Sequence, residues 1–333
     1  MHEARYYKKE KNSIVKCLLC PHECTIAPGK SGICKVRANL EGTLNTLVYG
    51  RVAAIHNDPV EKKPLYHFFP GKEILSIGEV GCNFSCPFCQ NSSISQCPPN
   101  RYREFRYLSA PQIATQALSI PNNIGVAYTY NEPFTFYEFL IDCAKEVHNA
   151  GLKNVVVSNG FINPGPLDEL LPHIDAFNID LKAFNDGFYK RYVKGSLEPV
   201  LQTLKTIAHS GKHLEVTNLV ITGINDDEAE FERMAQWVSN ELGRDTPFHI
   251  SRYYPVYRMG NPATPIHTLE KFYSIASCHL DYVYLGNVFD EKRSSTYCPH
   301  CSALLIQRSR FSIKINMDKN KCVKCGNQVR IKI

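Results

Sequence analysis

Apolar and polar positions run along this chain in two rhythms. Short apolar runs near residues 73–80, 124–129, 154–158, 176–181, 213–219 and 247–250 read as strands. Between most of them the apolar residues recur with helical spacing, as from Phe136 to Ala150 and from Glu228 to Leu242. Tyr282-Val283-Tyr284-Leu285-Gly286-Asn287 reads as one more strand. Strand and helix in alternation predict an α/β fold with a parallel sheet and right-handed crossovers. Six units fall short of the eight that close a full barrel. The expected fold is therefore a partial (β/α)6 TIM-like barrel, with a doubly wound sheet as the alternative. The pattern divides the chain into a cysteine-rich extension (1–72), the barrel (73–290) and a small C-terminal module (291–333).

Barrels of this kind place their chemistry at the C-terminal ends of the strands. The first strand ends on Gly81-Cys82-Asn83-Phe84-Ser85-Cys86-Pro87-Phe88-Cys89-Gln90, three thiols spaced Cys-x3-Cys-x2-Cys. Polar residues stand at the later ends: Tyr130-Asn131-Glu132, Ser158, Asp180 with Lys182, Glu215 and Arg252. Taken singly, each of these is more often a turn or cap residue than a ligand. Their recurrence at successive strand ends makes them candidates for a site.

The 14 cysteines sharpen this picture because they are clustered. Three thiols on one loop suit a four-iron cubane with one iron left open, whereas structural zinc sites and electron-transfer clusters take four ligands. A zinc knuckle borrowing a distant fourth ligand is the plainer alternative. Cys17, Cys20, Cys24 and Cys34, folded by turns at Pro28, Gly29 and Gly32, can hold zinc or a second cluster. Cys298-Pro299-His300-Cys301 and Cys322-Val323-Lys324-Cys325 form two knuckles of a zinc-ribbon or rubredoxin-like site for zinc or iron. Leu304-Leu305-Ile306 and 311–315 supply the strands between them. Cys97, Cys143 and Cys278 stand alone and read as structural. Such spacings are those of metal ligands in a reducing compartment, not of a secreted disulfide framework. With no apolar signal segment at the start and no run of 18 apolar residues, a cytoplasmic protein without a membrane span is expected.

The net charge of +6 among 21% charged residues is diffuse. It suits docking of an acidic electron donor and does not argue for nucleic acid. Lys314, Lys319, Lys321, Lys324 and Arg330 make the C-terminal module basic, which solvation alone explains. The stretch from Asp58 to Gly71 reads as a loop and a candidate substrate wall.

The thiol motif, with Phe88 before its last cysteine, resembles the motif of the radical S-adenosylmethionine (SAM) superfamily. Over nearly its whole length the chain resembles the radical SAM enzymes of the AmmeMemoRadiSam system, relatives of pyruvate formate-lyase-activating enzyme. The features that carry this are the Cys17–Cys34 module, Asp58 to Gly71, Cys82–Cys89 with Gln90-Asn91, Tyr130-Asn131-Glu132-Pro133 and Asn178-Ile179-Asp180-Leu181-Lys182. The resemblance implies a [4Fe-4S] cluster on Cys82, Cys86 and Cys89, with SAM chelating the open iron. It implies SAM contacts at Asn131 and Glu132, the latter taking the amino group, and at Ser158, Asp180 and Lys182. Phe88, Tyr130, Glu215 and Arg252 complete the expected cofactor-binding set. Val157 stands where the activating enzymes carry an aspartate, and Tyr254 near their histidine. A monovalent-cation site is therefore not carried across.

The implied function is reductive cleavage of SAM to a 5′-deoxyadenosyl radical that takes hydrogen from a substrate, with flavodoxin or ferredoxin as donor and a protein as a candidate substrate. A glycyl-radical-enzyme activase is the nearest alternative. A metal-dependent nucleic-acid or protein binding module is the alternative of another class.

Overall fold

The computed structural model describes residues 2–309 and 312–333. Its centre is an eight-stranded sheet. β1 (Ala54–Pro59) pairs antiparallel with β2 (Glu73–Gly78). β3 (Asn123–Tyr128), β4 (Lys153–Ser158), β5 (Ala176–Asp180), β6 (His213–Val220), β7 (Phe248–Arg252) and β8 (Val283–Gly286) follow in parallel. The order across the sheet is the order along the chain. A doubly wound sheet reverses its strand order at a switch point, so that alternative is not what forms. The six units expected become seven parallel strands once β8 joins the edge of β7. The last two residues of β1, Asp58 and Pro59, fall in the stretch expected to be a loop. The six-residue ladder to β2 overrides that local signal.

Six helices alternate with the parallel strands: α1 (Ala110–Ser119), α2 (Tyr137–Asn149), α3 (Pro164–Leu170), α4 (Glu198–His209), α5 (Glu228–Leu242) and α6 (Ile266–His279). α5 shows why the pattern was readable. Its buried residues Phe231, Met234, Ala235, Val238 and Leu242 fall on one face, and the Asp227 side chain caps its first turn by accepting from the Glu230 N–H at 2.8 Å. No helix among the described residues is long and apolar enough to cross a membrane.

The N-terminal extension is not a separate lobe. Val15, Cys17, Leu19, Ile26, Cys34 and Val36 share one buried core with the sheet and its helices. A fully buried ion pair, Arg37 Nη1 to Glu138 Oε1 at 3.0 Å, ties it to α2. The segment between β1 and β2 reaches Tyr130 through Lys63, 4.7 Å over its ring, and otherwise packs toward the N-terminal halves of the strands. Asn178 donates to Pro64 O at 2.7 Å, and the N–H groups of Tyr66 and His67 donate to Glu215.

The C-terminal module builds a three-stranded sheet from Thr296–Tyr297, Leu304–Arg308 and Ile313–Ile315. Phe311, assigned to the last of these strands, lies outside the described residues. The module seals the same N-terminal end: Arg308 stacks 4.2 Å over Tyr66 and donates to its carbonyl, and Lys332 pairs with Phe68. The sulfurs of Cys298, Cys301, Cys322 and Cys325 all lie within 4.8 Å of one another, with Cys298–Cys325 and Cys301–Cys322 at 3.6 Å. A tetrahedral zinc site with Zn–S near 2.3 Å needs sulfurs roughly 3.8 Å apart. The donor set therefore fits one tetrahedral ion, zinc or iron, with zinc the proposed occupant. Replacing Cys322 by serine is expected to remove about one zinc equivalent per chain, measured by metal analysis, and to loosen this module before the sheet unfolds.

Candidate metal and cofactor site

After β2 the chain turns through two glycines that no other residue could replace without displacement. A Cβ at Gly78 would lie 2.6 Å from Thr129 O. At Gly81, with φ at +95°, it would lie 2.5 Å from a Val36 methyl and 2.7 Å from Cys34 O. The thiol loop that follows is clamped on every side. Asn131 accepts from Glu79 N at 3.2 Å and donates to Gly81 O at 2.8 Å. Asn83 donates to Phe161 O, Ser85 N to Val193 O, and Arg258 N to Pro87 O. Phe84 is buried against Phe161 and Tyr189, and Phe88 against Phe188.

Each thiol meets a different set of neighbours. Cys82 lies beside Glu132, and its sulfur takes a 3.8 Å contact from the Asn159 side-chain amide. Cys86 lies beside Lys182 and Asp180. Cys89 Sγ is 3.2 Å from Ser95 Oγ. Burial pushes the Cys82 thiol well above its ordinary value, and pushes Cys86 up to about 12 despite the Lys182 charge. Free thiols in these places stay protonated at neutral pH, and a bound metal is what ionises them.

The strand ends bring charge to this loop. Burial lifts Glu132 to about 7, against the pull of the three donors it accepts from: Asn159 N at 2.9 Å, Ser158 Oγ at 2.8 Å and Phe134 N at 3.1 Å. Lys182 binds Asp180 at 2.8 Å, and its own N–H donates to Tyr189 Oη. Burial opposes the lysine charge, but Asp180 and Cys86 outweigh it and hold the ammonium above its ordinary range.

Of the residues expected around a cofactor, Asn131, Glu132, Ser158, Asp180 and Lys182 gather at the C-terminal ends of β3, β4 and β5 about the thiol loop. Phe88 packs inside the loop's own wall. Tyr130 turns its hydroxyl to Asp58 at 2.6 Å, where Lys63 also binds. Arg252 braces the next segment through Thr264 O at 2.8 Å. Glu215 requires a correction. It sits in the first half of β6, opposite Asn178, and its oxygens are taken by His213, His249 and the N–H groups of Tyr66 and His67. A strand-end reading misplaced it because β6 runs five residues beyond it.

The site set drawn from the sequence leaves out Ser95, Asn83 and Glu79, and at the third strand end takes Ser158 without Asn159. Asn83 and Asn159 join side chains at 2.8 Å. Glu79 is fully buried with neither oxygen partnered among the described residues, and burial pushes its carboxyl well above the usual range. A charged residue inside the apolar run Ile77-Gly78-Glu79-Val80 was the available signal.

The donor set fits an open four-iron cluster. Three thiols on one loop, Cys86 buried and Cys82 and Cys89 half-buried, would leave a cubane one iron without a protein ligand. Among the described residues the sulfurs gathered to single-ion distance are those of the C-terminal module, not these three.

Comparison with known proteins agrees with this chemistry. A family model described as the radical SAM superfamily matches residues 79–238. An uncharacterized protein of Methanocaldococcus jannaschii, MJ0808, is 41% identical over 99% of both chains. Pyruvate formate-lyase 1-activating enzyme of Escherichia coli is 22% identical over 56% of this chain and 75% of its own length. Two further activating enzymes match over only 38% and 42% of their lengths. A radical SAM methyltransferase structure from Sphaerobacter thermophilus superposes with a TM-score of 0.51 at 17% identity, covering 71% of this chain and 70% of that one.

Proposed function

We propose that this chain, whose residues 79–238 match the radical SAM superfamily model, cleaves SAM reductively to act on a substrate by hydrogen abstraction; members of that superfamily are enzymes using a [4Fe-4S] cluster and SAM. Cys82, Cys86 and Cys89 hold the cluster. When bound, the cluster supplies one electron to the SAM sulfonium, giving methionine and a 5′-deoxyadenosyl radical. The residues around it bind and orient. Glu132 keeps lone-pair capacity beyond its three donors and accepts the SAM ammonium. Asn131 fixes the backbone at Glu79 and Gly81, hence the pitch of the thiol loop. Lys182 and Asp180, paired beside Cys86, set the charge next to the thiolates. Phe84 and Phe88 keep water from the loop.

One observation carries this reading. Charged and amide groups from successive strand ends converge on three thiols that leave a metal position open, which a purely structural metal site does not need. A glycyl-radical-enzyme activase, with a protein substrate, is the second reading. Similarity to pyruvate formate-lyase 1-activating enzyme over 75% of that protein supports it. Flavodoxin or ferredoxin is the proposed donor.

The test is to reconstitute the protein anaerobically with iron and sulfide, reduce it with dithionite, add SAM and measure 5′-deoxyadenosine. Formation is expected. Intact SAM over a fully loaded, reduced protein would remove the proposal. Glu132→Gln sets an amide N–H₂ among three donors and removes the charge facing the ammonium. It is expected to weaken SAM binding about 10- to 100-fold, read by equilibrium dialysis, with the iron content unchanged.

A further inference from the structure

The N-terminal cysteines carry an inference beyond the SAM-cleaving site. Cys17, Cys20, Cys24 and Cys34, all free thiols, line one small apolar pocket with Leu19 and Ile26. The C-terminal module of the same chain serves as an internal standard. Its four sulfurs close to single-ion distance, within 4.8 Å, and the N-terminal four do not form such a group. A four-iron cubane holds its cysteine sulfurs apart, on the order of 6 Å. Backbone N–H groups lie near these sulfurs, those of His22 by Cys20, Ile33 by Cys24, and Val36 and Arg37 by Cys34. Arg37, 1% exposed, also lines the cavity, and its Nε–H has no partner among the described residues. A buried cation is suited to the negative charge of four thiolates around a metal.

The location supplies the role. Asn83, the residue after Cys82, and Phe134 and Thr135, just beyond Glu132, form part of the cavity wall. Cys34 O lies 2.7 Å from where a Cβ on Gly81 would stand, and His22 Nε2 is 2.8 Å from Asn83 O. The cavity thus abuts the Cys82 loop on one side. On the other it is bounded by Ile33, 49% exposed, while Cys82 is half-buried and Cys86 buried.

We propose that Cys17, Cys20, Cys24 and Cys34 hold a second four-iron cluster, which passes electrons from the surface to the centre on Cys82, Cys86 and Cys89. The step balances as electron transfer alone. A reduced flavoprotein or ferredoxin loses one electron, the outer cluster goes from its 2+ to its 1+ state, and it returns to 2+ as the inner cluster is reduced. No bond or proton moves.

The deciding protein is the full chain with Cys82, Cys86 and Cys89 all replaced by serine, which leaves the N-terminal module untouched. After anaerobic reconstitution it is expected to retain about four iron and four sulfide per chain and to give a low-temperature EPR signal on dithionite reduction. The parent should hold about eight iron. An iron-free triple variant carrying about two zinc per chain overturns the proposal, as does a parent that saturates at about four iron. SAM cleavage is not read here, so failure of the proposed function leaves this outcome legible. Cys24→Ser in the otherwise intact chain tests the relay. With reduced flavodoxin in stopped flow, reduction of the Cys82 centre should slow at least tenfold, and an unchanged rate removes the relay.

Discussion

Alanine at any one of Cys82, Cys86 or Cys89 is expected to abolish 5′-deoxyadenosine formation, with a loss of at least a thousandfold measured against the reconstituted parent. In the proposed cluster each thiol would bind a different iron, so none could stand in for another. The neighbours make the gap uncorrectable. Cys82 is walled by Asn159 and Glu132, and Cys86 by Lys182 and Asp180. Cys143 is buried in α2, and Cys278 is exposed on α6. Alanine at either of these should leave cleavage within a factor of two. Zinc in the C-terminal module should also persist in all three loop variants, because that module packs at the opposite ends of the strands. A loop variant that still forms 5′-deoxyadenosine at the parent's rate would show that the radical chemistry is seated elsewhere.

The sequence was most legible where one signal decided the outcome. The strands buried on both faces are continuous apolar runs, such as Lys153-Asn154-Val155-Val156-Val157-Ser158, and all of them pair as parallel strands. The thiol motif and the two C-terminal knuckles were legible because metal ligands sit close in sequence. What was not legible depends on contacts between distant segments. β1 runs on through Asp58 and Pro59 because β2 offers an open edge, which no local pattern announces. Asn83 and Asn159 matter because two strand ends meet, 76 residues apart in sequence. Glu215 looked like a ligand because it is an acid in an apolar strand. Its two histidine partners come from His213, two residues earlier, and from His249 on the next strand. Charge in a buried strand signals a polar network. Which end of the strand that network occupies is set by the register, and a lone sequence does not carry it.

That misplaced acid gives the second large effect. Glu215 is fully buried, with His213 Nε2 at 2.9 Å, His249 Nε2 at 2.6 Å, and the N–H groups of Tyr66 and His67 at 3.0 and 2.7 Å. Burial opposes its charge, yet these partners hold its carboxyl well below the usual range. Glu215→Gln turns an amide N–H₂ toward donors and strips the network of its one anion. The expected cost is about 3–5 kcal/mol in urea denaturation at pH 7.5. The loop carrying Tyr66 should loosen with it, and with that loop its clasp on Arg308. Iron content and SAM binding at low temperature should be retained, since the network stands away from the thiols; their loss would restore Glu215 to the cofactor site. The pH dependence has a definite sign. A carboxylate whose pKa is lowered on folding adds stability that is complete above its unfolded value near 4.5 and is lost as pH falls through the lower folded value. His67 acts in the same direction. Burial drops it from 6.5 to about 3, so the unfolded chain takes up a proton first as pH falls. Its contribution is whole above pH 6.5 and declines toward pH 3, by on the order of 5 kcal/mol. The parent should therefore lose stability from pH 6.5 downward, well before ordinary carboxylates titrate. His67→Phe removes the titrating group and leaves Tyr284 its bond to Thr296 at 2.8 Å. In that variant the decline between pH 6.5 and 4.5 should flatten, leaving the steeper fall below pH 4.5 that belongs to Glu215.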